Sequence, residues 1–162
     1  MYVDYCTYFN GNQDYFECHE VLEEYWKEAA PGDKDHVLVG LVQLATGMYH
    51  WRRGNFNGSA RILTKSLHNL QRNRSSDFLQ PLDGRLLEEQ LTDAIEAVSQ
   101  RKHFQPFKLS ILDPELEETV MSKIAALPYE NEEFLLHKHM LRDRSEVLEA
   151  REAKIALKRN RE

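Results

Sequence analysis

The segment Val37–Arg53 constrains the fold more than any other part of the chain. Val37, Leu41, Leu44, Met48 and Trp51 follow one another at steps of four, three, four and three, the spacing of a single helical face. Leu38, Val42 and Ala45 widen that face well beyond one stripe. A helix that is apolar around so much of its circumference must be covered on several sides, so it belongs at the centre of a bundle. Gly54-Asn55 then supplies a helix stop and a new N-cap, and Phe56, Ala60, Leu63, Leu67 and Leu70 form the stripe of the next helix. A turn this short predicts an antiparallel helical hairpin.

The remaining segments read as further helices. A short one is expected over 3–9. Asp14 caps the next, with Glu17 in capping-box register, and Pro31-Gly32 stops it after Ala30. Asp33 or Asp35 is the expected cap of the central helix. Arg74–Asp83 reads as a loop, and Leu87, Leu91, Ala94 or Ile95, and Val98 as one face of another helix. His103–Leu112 contains Pro106 and reads as an extended segment or at most an edge strand. Asp113-Pro114 starts a helix that lasts until Pro128. A highly charged helix is expected from Asn131 onward, fraying over 151–162. The fold class is therefore all-α, a compact bundle of about five to seven helices around a central antiparallel hairpin. Residues 1–128 are read as one domain with its motif core at 8–72, and 129–162 as a charged C-terminal helical extension.

Composition narrows the partners. The chain has 162 residues, 41% of them hydrophobic, enough for one independent core. Its formal net charge of -6 argues against wrapping a polyanion, so nucleic acid is not the expected partner. Residues 1–50 hold nine acidic residues and two lysines, whereas 137–162 hold eight basic and five acidic ones. Such ends attract each other within a monomer or across a homo-oligomer. Cys6 and Cys18 form no C-x-x-C pair, which suits a reducing cytoplasm. The start, M-Y-V-D-Y-C-T-Y-F, has neither a basic region nor an apolar core and does not read as a signal peptide. Val37–Ala45 falls far short of the roughly 20 residues that span a bilayer, so no membrane association is expected.

Two segments carry polar residues where plain packing helices would carry apolar ones. Phe16, His19, Glu20, Glu23 and Trp26 share one arc of their helix, with His19 and Glu23 as i,i+4 neighbours. On the central helix His36, Gly40, Gln43, Gly47, His50 and Gly54 form a second stripe. Glycine costs roughly 1 kcal/mol against alanine inside a helix, so this stripe implies close approach of a neighbour or a ligand. Antiparallel packing would set His19 and Glu23 against Gln43 or His50.

Three readings of this pattern compete. One is a satisfied structural network. The second is a metal site with His19, Glu23 and His50 as ligands of a divalent ion, since imidazole and carboxylate suit zinc, iron, nickel or manganese. Neither H-E-x-x-H nor a pair of E-x-x-H motifs is present to specify the class. The third is a small-ligand or acid–base pocket, with a histidine titrating beside Glu20 or Glu23. Cys18 lies on the apolar face and reads as packing. Arg52 and Arg53 can meet an anion near the turn, although a helix C-terminus attracts cations anyway. The run His137–Arg144 reads as a solvated or salt-bridged face rather than an RNA contact.

The stretch F-E-C-H-E-V-L-E-E-Y-W at Phe16–Trp26 and the block G-L-V-Q-L-A-T-G-M-Y-H-W-R-R-G-N-F-N-G-S-A at Gly40–Ala60 resemble the bacterial and archaeal family named domain of unknown function 309. The resemblance covers about Tyr8–Leu70. It implies an all-α fold with Glu17, His19, Glu20, Glu23, Trp26, Gln43, His50, Asn55 and Gly58 as motif positions, and it supplies no activity. The functional expectation is a cytoplasmic helical protein whose pocket of His19, Glu20, Glu23, Trp26, Gln43, His50 and Asn55 takes a small ligand or a protein. A metal-dependent, hydrolase-like enzyme using the same residues is one alternative. An assembly or scaffold module docking through the charged C-terminal helix is the other.

Overall fold

The computed structural model describes residues 1–141, and the part of the expected C-terminal helix beyond them lies outside the described residues. Among the described residues there are seven α-helices, Tyr2–Asn10 (α1), Tyr15–Ala29 (α2), Val37–Arg52 (α3), Phe56–Arg72 (α4), Gly84–Ser99 (α5), Pro114–Ala125 (α6) and Glu132–Leu141 (α7). α3 is the central helix, as its wide apolar face requires: Leu38, Leu41, Leu44, Ala45 and Met48 are completely buried. α4 makes the most extensive contact with it and α2 the next. α1 packs on α2, α5 on α4, α6 on α1, and α7 touches α2. No helix among the described residues is long and apolar enough to cross a membrane.

The two glycines in the middle of α3 are explained by α4. A Cβ on Gly47 would lie 2.3 Å from Leu63 Cδ2, and one on Gly40 would lie 2.5 Å from Asn69 Oδ1. Ser59 Oγ donates to the Gly47 carbonyl at 2.8 Å and Ser66 Oγ to the Gly40 carbonyl at 2.7 Å, both fully buried. Glycine removes the steric obstacle, and serine exploits the close approach by bonding a carbonyl that the helix ladder leaves with a spare lone pair.

Two local expectations change. The α3 cap is His36, whose Nδ1 accepts from Leu38 N at 3.3 Å, rather than Asp33 or Asp35. Both aspartates are committed elsewhere: Asp33 Oδ1 accepts from Asp35 N, and the Asp35 carboxylate pairs with Arg72 at 2.6 Å. The segment after α5 is extended, and its single antiparallel bridge joins Leu82 to Ile111. Asn10 holds it against α1, donating to Leu109 O and accepting from Leu109 N, each at 2.8 Å. The Trp51 indole fastens its start by donating to Lys102 O at 3.0 Å.

Candidate functional site

α2 begins at Asp14, whose side chain accepts from Glu17 N, and its register sets His19, Glu20 and Glu23 on one half-exposed edge. His19 Nδ1 lies 3.1 Å from Glu20 Oε1, and its Nε2 lies 3.4 Å from Glu23 Oε2. The other Glu23 oxygen meets Lys27 Nζ at 2.9 Å. One donor atom from each of His19, Glu20 and Glu23 can be chosen so that all lie within 4.8 Å of one another. Trp26, one turn further, has its indole N–H committed to Asp33 O at 2.8 Å and so pins the loop between α2 and α3.

The other motif side chains have neighbours on the α4 side of α3. Gln43 lines an open cleft of ≈ 640 Å³ with Lys34, Lys65, His68 and Arg72, and its amide oxygen is buried without a hydrogen bond. His50 sits at the corner between α3 and α4. Asn55 caps α4 there, its Oδ1 accepting from Gly58 N at 3.1 Å, which turns its amide nitrogen to His50 Nδ1 at 3.2 Å. That contact makes Nδ1 the acceptor and leaves the imidazole proton on Nε2. Thus the geometry groups His19 with Glu20 and Glu23, and His50 with Asn55.

Burial, assisted by the nearby Arg53 and Arg61 charges, lowers the His50 pKa below its ordinary value of 6.5. The unfolded chain therefore takes up a proton at this residue before the folded one does. His50 contributes fully to stability above its unfolded pKa, and that contribution shrinks as the pH falls through and below it. Replacing His50 by Gln is expected to flatten the decline in urea midpoint between about pH 7 and 5. An unchanged decline would show that other groups carry it.

Comparison with known proteins adds a family to this geometry. The model of the family described as "Domain of unknown function (DUF309)" matches residues 2–62. The chain is also 39% identical over 164 residues to "Uncharacterized protein YpuF" of Bacillus subtilis (strain 168), covering 95% of this chain and 92% of that protein. The chain belongs to the DUF309 family. No solved structure matches it. In this DUF309 protein the family match spans α1, α2, α3 and the start of α4, so every motif position discussed above falls inside it.

One buried cluster joins the acidic N-terminal part to the C-terminal run through residues that the charge pattern alone does not single out. Lys138 of α7 is only 9% exposed and pairs with Asp14, itself 1% exposed, and with Glu17 at 3.2 Å and Glu130 at 3.5 Å. Burial pulls the Lys138 pKa down, but the Asp14 hydrogen bond and the three carboxylate charges outweigh it and hold the pKa above its ordinary value. The DUF309 motif residue Glu17 is therefore engaged by α7. Gly58 has an equally local role, since a Cβ there would lie 2.4 Å from the Asn55 amide. Both thiols are buried, and burial pushes Cys6 up to about 12 and raises Cys18 as well, so neither is a nucleophile at neutral pH.

Proposed function

We propose that this DUF309 protein binds a divalent transition-metal ion on the edge of α2, through His19, Glu20 and Glu23. The observation that carries the reading is the convergence of one imidazole nitrogen and two carboxylate oxygens within 4.8 Å on a single helix. An imidazole with two carboxylates suits zinc, manganese, iron or cobalt better than calcium or magnesium, which prefer all-oxygen cages. Ligands from one well-anchored helix need only side-chain rotation to close on an ion. Binding displaces Lys27 from Glu23 and releases His19 from its two carboxylate contacts, so protons and Lys27 compete with the metal. Three protein ligands leave positions for water, the condition for Lewis-acid chemistry rather than for a closed structural site. The reading is therefore a metal-dependent role of hydrolytic type.

Titration calorimetry with Mn²⁺ and Zn²⁺ on metal-stripped protein tests this. One equivalent is expected to bind to the wild type, and the His19→Ala/Glu23→Gln variant is expected to lose at least tenfold in affinity, about 1.4 kcal/mol, while keeping its helical circular dichroism. Unaltered binding by that variant, or none by the wild type, would overturn the assignment.

A further inference from the structure

We propose that the cleft between α4 and the loop leading into α3 binds a small hydroxylated phosphate monoester, with Lys34, Lys65, His68 and Arg72 on the phosphate and Gln43 on a hydroxyl. These five residues line one cavity of ≈ 640 Å³, within the size range of small-molecule sites. Lys65, His68 and Arg72 follow at steps of three and four and so share one face of α4. Lys34 lines the same cavity from the loop. The walls are held in place without a ligand. Asn69 is 4% exposed and donates its amide to the Asp35 carbonyl at 3.2 Å and the His36 carbonyl at 3.3 Å. Asn73 donates to the Asp35 carbonyl at 2.9 Å. Those bonds tie the loop that carries Lys34 to α4, so the backbone of the cleft is preorganised for binding.

Two features select the ligand. The first is charge. Among the described residues Lys34 and Lys65 form no ion pair, and Arg72 gives one N–H group to Asp35, the one acid lining the cleft, at 2.6 Å. Three cations against one carboxylate leave an excess of positive charge in a protein whose net charge is -6. A phosphate monoester carries about -1.5 to -2 near neutral pH and matches that excess, whereas a phosphodiester of a nucleic-acid backbone carries a single charge. The guanidinium and the two ammoniums supply several donors, and His68 adds a ring N–H. The second feature is Gln43 on the α3 side of the cleft. Its Oε1 is out of solvent and has no hydrogen-bond partner. An acceptor in that state costs free energy that an incoming donor recovers. A monoester dianion has no proton to give, and an ammonium donor would face Lys34, Lys65 and Arg72. The donor is therefore a hydroxyl on the same ligand. His19, Glu20 and Glu23 do not line this cleft, so the inference does not rest on the metal reading.

The test is titration calorimetry of metal-stripped full-length protein at about pH 8, where monoesters are dianions, and at constant ionic strength. The probes are ribose 5-phosphate, methyl phosphate, which lacks a hydroxyl, and ribose. Ribose 5-phosphate is expected to bind saturably and more tightly than methyl phosphate, and ribose is expected not to bind. Lys65→Gln removes the charge of an exposed side chain at little cost to folding and is expected to weaken both phosphates about tenfold. Gln43→Met removes the stranded acceptor, so its melting temperature should not fall. That variant is expected to weaken ribose 5-phosphate about fivefold and to leave methyl phosphate unchanged. No saturable binding of ribose 5-phosphate, unchanged affinity in Lys65→Gln, or equal losses for both phosphates in Gln43→Met would overturn the proposal. The His19→Ala/Glu23→Gln variant should bind ribose 5-phosphate as the wild type does, so either reading can fail while the other stands.

Discussion

Replacing Lys138 by Met is expected to lower the unfolding free energy by about 3–5 kcal/mol, because it strands a buried anion without its cation. Asp14 is 1% exposed and sits with Glu17 and Glu130 around the single ammonium, so removing that charge leaves three carboxylates facing one another. At about 2–4 °C per kcal/mol for a chain of this size, the melting temperature falls by roughly 10 °C. Asp14→Asn retains a cap oxygen for Glu17 N and leaves Lys138 two acidic partners, so a smaller loss is expected. The double variant is expected to be more stable than the sum of the two losses predicts, since each removes a partner of the other. The α7 amides should exchange first, because Lys138 and the Tyr49 hydroxyl bond to Leu136 O at 3.2 Å anchor that helix. Urea melts read the loss, and a Lys138→Met protein within about 0.5 kcal/mol of wild type would refute the account.

The second large effect lies at the α3–α4 contact. Gly47→Ala is expected to destabilise the protein by about 1–3 kcal/mol through overpacking. The new methyl would fall 2.3 Å from Leu63 Cδ2 and 2.6 Å from its Cγ, with the Leu63 backbone nitrogen at 3.3 Å behind them. Leu63 is completely buried in a close-packed interior, so its side chain must leave its rotamer or the helix must shift. A shift of the helix would also stretch the Ser59 bond to the Gly47 carbonyl. Leu63→Ala alone should cost about 2–5 kcal/mol as a cavity, yet Gly47→Ala should cost little in that background. A double-mutant cycle showing simple additivity would mean the steric conflict is not with Leu63.

These two contacts also show where sequence reasoning reached and where it stopped. The glycine stripe announced a close approach, and Ser59 and Ser66 are spaced seven residues apart, as Gly40 and Gly47 are. That shared spacing was a usable signal for the partner helix. By apolar periodicity alone the serines are interruptions beside the stripe formed by Phe56, Ala60, Leu63, Leu67 and Leu70, which hides that signal. The Lys138 cluster had only a coarse signal, the expected attraction between the acidic N-terminal part and the basic C-terminal part. Lys138 lies in a charged run next to His137 and His139, which reads as solvated or salt-bridged, and nothing in that run singles out this lysine as buried against the N-cap of α2. The grouping of His19 with Glu20 and Glu23 followed from helical spacing, since those residues share one helix. The placement of Gln43 and His50 did not, because the relative rotation of neighbouring helices is decided by packing.

By itself, the amino-acid pattern determined the helices, their order, the central position of α3 and the antiparallel turn into α4. These depend on periodicity, caps and breakers, which act over a few neighbouring residues. Only the tertiary structure decided that α4 fills the glycine stripe, that α7 closes over Asp14, and that His50 answers to Asn55 and two arginines. Those outcomes come from burying side chains against residues far along the chain, where a rotation of a few tens of degrees exchanges one set of partners for another.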